Sequence, residues 1–204
     1  LVGTALLHSA LVVERRDTLK SWTILLAIIA FGMSLLGTFL VRSGLLTSVH
    51  TFATDPERGV FILSLLIIVI GGSLVLYAIR APMLKGAGLF TPISREGALV
   101  LNNLLLATAT AVVSLGTLYP LALDAIGGGK VSVGAPFFNA TFVPLMVPLL
   151  IACPVGAMMA WKRGDLPGVV GRLKVAVGLA LLVVLATVMI DGNTDIVAAL
   201  AMGV

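Results

Sequence analysis

The sequence contains little charge and almost no cysteine or histidine. Only 11% of its 204 residues are charged, whereas 59% are hydrophobic, and the mean hydropathy is +1.17. This composition excludes an ordinary soluble domain. The single cysteine, Cys153, excludes an intramolecular disulfide and a cysteine-based metal cluster, and we interpret it as a buried apolar filler in the membrane. The two histidines, His8 and His50, are the residues whose presence most needs an explanation.

Uncharged apolar runs recur along the chain. A helix that spans a bilayer takes about 20 residues, and five runs approach or exceed this length: Trp22 to Val41, Val60 to Ile79, Gly97 to Leu123, Thr141 to Trp161 and Val175 to Ile190. The apolar ends, residues 1–13 and 196–204, are too short to span alone. The sequence therefore predicts an all-α, polytopic membrane bundle with about five complete transmembrane helices and a partial one at each end. Because Leu1 is neither an initiator Met nor the start of a signal peptide, we expect an internal fragment.

The basic residues predict an orientation in the membrane. Ten of the 13 Lys and Arg lie in alternate connecting segments, and only Arg42, Arg58 and Lys130 lie in the others. The positive-inside rule places the ten on the cytoplasmic side, and therefore His50 on the periplasmic side of a bacterial inner membrane. The net charge of +4 then indicates attraction to anionic lipid rather than to nucleic acid.

The two histidines leave several roles open. His8 is predicted inside a helix, about 9 Å from the cytoplasmic boundary, where an ionisable side chain is costly and usually has a partner. A structural hydrogen bond, a proton relay and an axial bond to haem iron all fit that position. His50 lies in a loop that is apolar for a solvent-exposed segment, and imidazole is a common ligand of haem iron. Asn102 and Asn103 are expected to form hydrogen bonds between helices.

Three other classes of function are less well supported. Gly127 to Lys130 is glycine-rich, but Val131 stands where a phosphate-binding loop needs a hydroxyl residue. A small-molecule transporter would be expected to have intramembrane charges, and the predicted spans contain none. A purely structural membrane subunit would predict that both histidines tolerate replacement by alanine.

Four segments carry a resemblance to a known family. The segments TALLHSALVVERR, WTILLAIIAFGMSLLGTFLVRSGLLTSVHTFATDPERGVFIL, LGTLYPLAL and GGGKVSVGAPFFNATFVPLM strongly resemble the CcmF family of cytochrome c-type biogenesis proteins, which handle haem and share a WWD signature. The resemblance covers essentially the whole chain, although the WWD signature itself has no match in it. It implies that residues 1–58 are the C-terminal part of a haem-handling domain and that residues 59–204 belong to an incomplete C-terminal transmembrane domain.

The resemblance also implies a cofactor, partners and site residues. His8 is similar to the first axial ligand of a membrane-embedded haem b, and His50 to the second of two periplasmic ligands of the haem that is delivered. The second membrane histidine and the first periplasmic histidine have no match here. Arg42 is expected either to pair with a haem propionate or to anchor its helix at the interface. The implied activity is that of a holocytochrome c synthetase (haem lyase) subunit. Its partners would be a haem-loaded periplasmic chaperone, apocytochrome c and the subunit that reduces and presents its thiols. A paralogue dedicated to the nitrite reductase cytochrome shares these motifs.

Overall fold

The computed structural model describes residues 1–44, 55–84 and 91–191. Eight α-helices occupy these ranges: α1 Val2–Arg16, α2 Lys20–Ser43, α3 Pro56–Arg80, α4 Arg95–Ala125, α5 Ala135–Thr141, α6 Val143–Met158, α7 Leu166–Arg172 and α8 Lys174–Asp191. A 3-10 turn, Ala81–Met83, follows α3. No strand occurs in the described part of the chain. The prediction of an all-α fold is confirmed.

Three straight helices, α2, α3 and α4, are long and apolar enough to cross a membrane. Two further pairs, α5 with α6 and α7 with α8, pass the same test together but are bent by 43° and 52°. The count reaches five spans if each bent pair is one span, which agrees with the number predicted from the sequence. The expected partial helix at the start is α1, and the one expected at residues 196–204 lies outside the described residues.

The first bend corrects one detail of the predicted spans. The run from Thr141 to Trp161 was expected to form one helix, but it is interrupted at Phe142, directly before Pro144 in the first turn of α6. Proline lacks an N–H and fits the first turn of a helix, so a new helix starts here. Two further prolines, Pro120 and Pro148, lie inside α4 and α6.

By proximity, the chain divides into two compact units. Unit 1 contains residues 1–88 and 113–133, and unit 2 contains residues 89–112 and 134–204. Helix α4 contributes its second half to unit 1 and its first half to unit 2. The domain boundary that the sequence places after residue 58 stays a prediction.

In unit 1, α1 and α2 form a hairpin. The turn between them holds Asp17 and Leu19 at φ of 56° and 62°. Lys20 forms an ion pair with Asp17 at 2.7 Å. The buried side chains of α1 recur every three or four residues, as expected of a helix that packs along one face: Val2, Ala5, Ser9 and Val12.

Helices α2 and α3 pack antiparallel along their whole length. At one end Gly59 lies against the backbone of Ser43, and at the other end the hydroxyls of Ser21 and Tyr77 share a hydrogen bond of 2.8 Å. A Cβ atom on Gly59 would stand 3.3 Å from the Cα of Ser43. The helices approach this closely because Gly59 has no side chain.

In unit 2, the start of α4 is tied to the end of α6. Ser94 caps α4 by accepting a hydrogen bond from the Gly97 N–H at 3.1 Å. The guanidinium of Arg95 donates to the Ala157 carbonyl and lies 5.4 Å from the ring centre of Trp161. Gly156 faces Ala98, and a Cβ atom added to Gly156 would lie only 2.8 Å from the Cβ of Ala98.

Candidate functional site

His8 lies in the middle of α1, at the margin of the buried face. Its side chain is half-buried, whereas Ala5 and Ser9 on either side are fully buried. Leu7, directly before it, is 71% exposed. The helical repeat of 3.6 residues therefore places the imidazole between the protein interior and the surface of the hairpin.

The helix that carries His8 is fixed to α2 at the next residue. The hydroxyl oxygens of Ser9 and Thr23 lie 2.6 Å apart, and Thr23 also donates to the Leu19 carbonyl at 2.9 Å. A hydroxyl has one proton, so Thr23 uses its own on Leu19 and accepts from Ser9. His8 thus sits on a helix whose position relative to α2 is set by a buried hydrogen bond.

The donor chemistry at His8 fits one axial position of a haem and does not fit a conventional metal centre. Among the described residues, no group of three or more His, Cys, Asp or Glu side chains comes close enough to hold a metal ion. Haem needs only one protein atom on each face of the porphyrin, and a neutral imidazole nitrogen supplies it. The half-buried ring of His8 supplies one such ligand.

The second predicted ligand, His50, lies outside the described residues, but the two helix ends that flank its segment are defined. The N–H of Asp55 donates to the Arg42 carbonyl at 3.0 Å. The Asp55 carboxylate accepts from the Arg58 N–H at 3.2 Å and pairs with its guanidinium at 3.1 Å, which caps α3. The last turn of α2 and the first turn of α3 are therefore held together at Arg42, Ser43, Asp55 and Gly59.

Arg42 lies in the last turn of α2, and its side chain is half-buried. Thr23 of α2 lies at the same depth as His8, because it contacts the next residue, Ser9. Arg42 follows Thr23 by 19 residues along α2, which is a rise of about 28 Å at 1.5 Å per residue. This length is close to the hydrocarbon thickness of a bilayer. The described part of unit 1 thus places His8 and Arg42 near opposite ends of one membrane-spanning hairpin.

The structure corrects two expectations, one about a reactive side chain and one about a charged side chain. Cys153 was expected to be buried but is exposed on α6. Helix α4 begins at Arg95 rather than at Gly97, so it includes Glu96, which is 1% exposed. A buried carboxylate at the edge of a span was missed because the sequence reading started each span after the last charged residue.

The two asparagines of α4 are buried as expected, with exposures of 9% for Asn102 and 2% for Asn103. Neither side-chain atom of the Asn103 amide has a hydrogen-bond partner within the described ranges. The predicted hydrogen bond between helices is therefore not formed by Asn103 in this part of the chain. The cost of an unpaired buried amide makes this a position where a partner is expected.

Three long apolar helices and two bent helix pairs define a polytopic helical membrane protein. No protein-family model matches the chain. Individual proteins match it well. It is 67% identical over 188 residues to the cytochrome c-type biogenesis protein CycK of Bradyrhizobium diazoefficiens, covering 92% of this chain and 28% of that protein. It is 50% identical over 183 residues to the cytochrome c-type biogenesis protein CcmF of Escherichia coli K12, covering 90% of this chain and 28% of CcmF.

A solved structure also resembles this chain. The fold matches a structure named cytochrome c haem lyase CcmF with a TM-score of 0.67 and 29% sequence identity, covering 99% of this chain and 28% of that one. The chain belongs to the CcmF family of cytochrome c-type biogenesis proteins. It spans a little over a quarter of the length of the curated relatives that it matches.

Proposed function

We propose that this chain is a haem-binding segment of a membrane protein that matures c-type cytochromes, acting as a subunit of a haem lyase. The observation that carries this proposal is the position of His8, which is half-buried on a helix that is locked to a membrane-spanning neighbour. The names of the relatives, which refer to cytochrome c biogenesis and to a haem lyase, support it.

His8 would be an axial ligand of haem b within the membrane. Haem supplies redox chemistry at its iron when it is bound. The contribution of the chain would be to hold the imidazole at a defined depth, through the hydrogen bond between Ser9 and Thr23. The second axial ligand would come from outside the described residues.

At the other end of α2, His50 would hold the haem that is to be attached, and Arg42 would pair with a propionate. A guanidinium binds a carboxylate through two parallel hydrogen bonds, which would orient the porphyrin. The described ends of α2 and α3 are joined by the hydrogen bond from the Asp55 N–H to the Arg42 carbonyl. This end would face the periplasm of a bacterial cell, according to the distribution of Lys and Arg.

Joining haem to a c-type cytochrome adds two thiols across the vinyl groups of haem, so the reaction needs haem presented in one orientation more than it needs a general base. The described residues fit this need because they offer a lone imidazole and an arginine rather than a catalytic triad. The partners would be a haem-loaded periplasmic chaperone, apocytochrome c and the subunit that presents its reduced thiols. Residues 1–58 would belong to the haem-handling domain and residues 59–204 to the C-terminal transmembrane domain.

The test is maturation of a periplasmic c-type cytochrome in a bacterial strain whose only copy of the full-length protein carries His8→Ala or His50→Ala. Covalent haem is measured by staining after denaturing electrophoresis, and the membrane level of each variant by immunoblot. We expect both variants to reach normal membrane levels and to lose most of the holocytochrome. Full maturation by either variant would overturn the assigned role of that histidine, whereas Leu7→Ala, an exposed neighbour, should mature cytochrome normally.

A further inference from the structure

The two ends of unit 1 differ in charge. One end of unit 1 is where α1 and α3 finish and α2 begins. This end has four cationic side chains and two carboxylates: Arg15, Arg16, Lys20 and Arg80, with Glu14 and Asp17. At the opposite end, Arg42 and Arg58 are balanced by Asp55 and Glu57. The antiparallel packing of the helices therefore gathers an excess of positive charge at one end only.

An apolar groove opens between α2 and α3 at this positive end. Its volume is about 510 Å³, and its walls include Ile24 and Ile28 from α2 and Leu76 from α3. Ile24 and Leu76 are 42% and 58% exposed, so the groove is open to the surroundings of the helix pair. In a membrane, these surroundings are lipid chains.

Polar groups meet the groove at its charged end. Tyr77 lines the groove, and its hydroxyl forms a hydrogen bond with the hydroxyl of Ser21. Arg80, one turn further along α3, also lines it and is exposed. Within the described part of the chain, the Arg80 guanidinium forms no hydrogen bond or ion pair. An arginine in this place has donors to offer to an anion that lies at the mouth of the groove.

We propose that this groove binds an anionic phospholipid, with the phosphate at Arg80 and an acyl chain along Ile24, Ile28 and Leu76. Two features of the groove match this ligand: mainly apolar walls, in which Ser73 is a further polar side chain, and an unpaired cation beside the hydroxyls of Tyr77 and Ser21 at one end. A basic pocket between transmembrane helices at the positively charged side of a membrane is a recognised type of lipid site. The acyl chain of a zwitterionic lipid would pack against the same walls, but its headgroup would bring no net negative charge to Arg80.

The test uses the full-length protein purified in a mild detergent and washed free of loosely bound lipid. Native mass spectrometry then measures retained lipid after addition of phosphatidylglycerol, of phosphatidylcholine with the same acyl chains, or of inorganic phosphate. The variants are Arg80→Gln, which removes the charge, and Leu76→Trp, which fills the groove from an exposed position. The matched controls are Arg172→Gln, another exposed arginine, and Val75→Trp, which is 61% exposed on the same helix and does not line the groove.

We expect phosphatidylglycerol to be retained in preference to phosphatidylcholine, and inorganic phosphate not to displace it. Arg80→Gln should weaken retention about fivefold, as expected for one interfacial charge, and Leu76→Trp should abolish it, whereas both controls should bind like the unmodified protein. Equal retention of the two lipids, or unchanged retention in both groove variants, would overturn the proposal. So would the absence of retained lipid from the unmodified protein, which would show that another segment covers the groove. Displacement by inorganic phosphate would identify a free anion site instead.

Discussion

Ser9 of α1 donates a hydrogen bond to Thr23 of α2, with 2.6 Å between the two hydroxyl oxygens. Ser9 is fully buried, and it directly follows the proposed haem ligand His8. This contact joins α1 to α2 directly beside His8. It therefore fixes the height and rotation of the imidazole relative to the spanning helix α2.

The first prediction concerns this contact. Thr23→Val removes the acceptor and leaves the buried Ser9 hydroxyl without its hydrogen-bond partner, whereas Ser9→Ala removes the donor itself. Because an unsatisfied buried hydroxyl is costly, Thr23→Val should destabilise the protein more than Ser9→Ala. The double variant should lose less free energy of unfolding than the two single variants lose in sum. The difference, which is the coupling energy of the pair, should be about 0.6 kcal/mol and at most about 1.7 kcal/mol. The measurement is unfolding of the full-length protein in mixed detergent micelles. Thr108→Val is the matched control, because that exposed hydroxyl bonds only to its own helix at Leu104; strictly additive effects of the Ser9 and Thr23 changes would contradict the contact.

The second prediction concerns Gly59, where α3 approaches the end of α2. A valine side chain here meets the backbone of Ser43, which cannot rotate away. Gly59→Val should therefore destabilise the full-length protein by about 1–3 kcal/mol and reduce holocytochrome formation, because the ends that flank the His50 segment are forced apart. Gly71→Val, on the same helix with nothing within 4 Å, should do neither. Thermal unfolding and haem staining measure the two effects, and equal behaviour of both variants would show that the close approach has no importance.

The helices were predictable from the sequence because bilayer thickness sets their length and because the chain lacks charges over those lengths. The position of His8 inside the first helix also followed from that pattern. The break at Phe142 was not predictable in the same way, because a proline in an apolar run is compatible with either a kink or a new helix. The contacts between Ser9 and Thr23 and between Gly59 and Ser43 depend on which faces of two helices meet, and hydropathy alone does not determine this.

The third prediction concerns the contact of α4 with α6. Gly156→Ala would bring two Cβ atoms to 2.8 Å, well inside the optimal separation of about 3.5–4.0 Å. It should lower the free energy of unfolding by about 1–3 kcal/mol. Adding Ala98→Gly removes the clashing atom and should restore most of the loss. Gly178→Ala in α8, with no atom within 4 Å, is the control; if the second change gives no recovery, the packing at Gly156 is not the cause of the loss.

The fourth prediction concerns His8 as a haem ligand, which is the central claim. Replacement of the imidazole by a small side chain removes one axial bond to iron, and free imidazole can occupy the vacated position. Leu7→Ala is the matched control, since Leu7 is 71% exposed on the same turn of α1. Both variants should accumulate in the membrane at normal levels, because neither change removes the hydrogen bond between Ser9 and Thr23.

The most direct measurement is the visible absorption spectrum of the reduced full-length protein, purified in detergent as unmodified protein, His8→Ala and Leu7→Ala, with and without added imidazole. The account predicts that the reduced haem band is weakened or lost in His8→Ala, is at least partly restored by imidazole, and is unchanged in Leu7→Ala. An unchanged haem band and haem content in His8→Ala would contradict it.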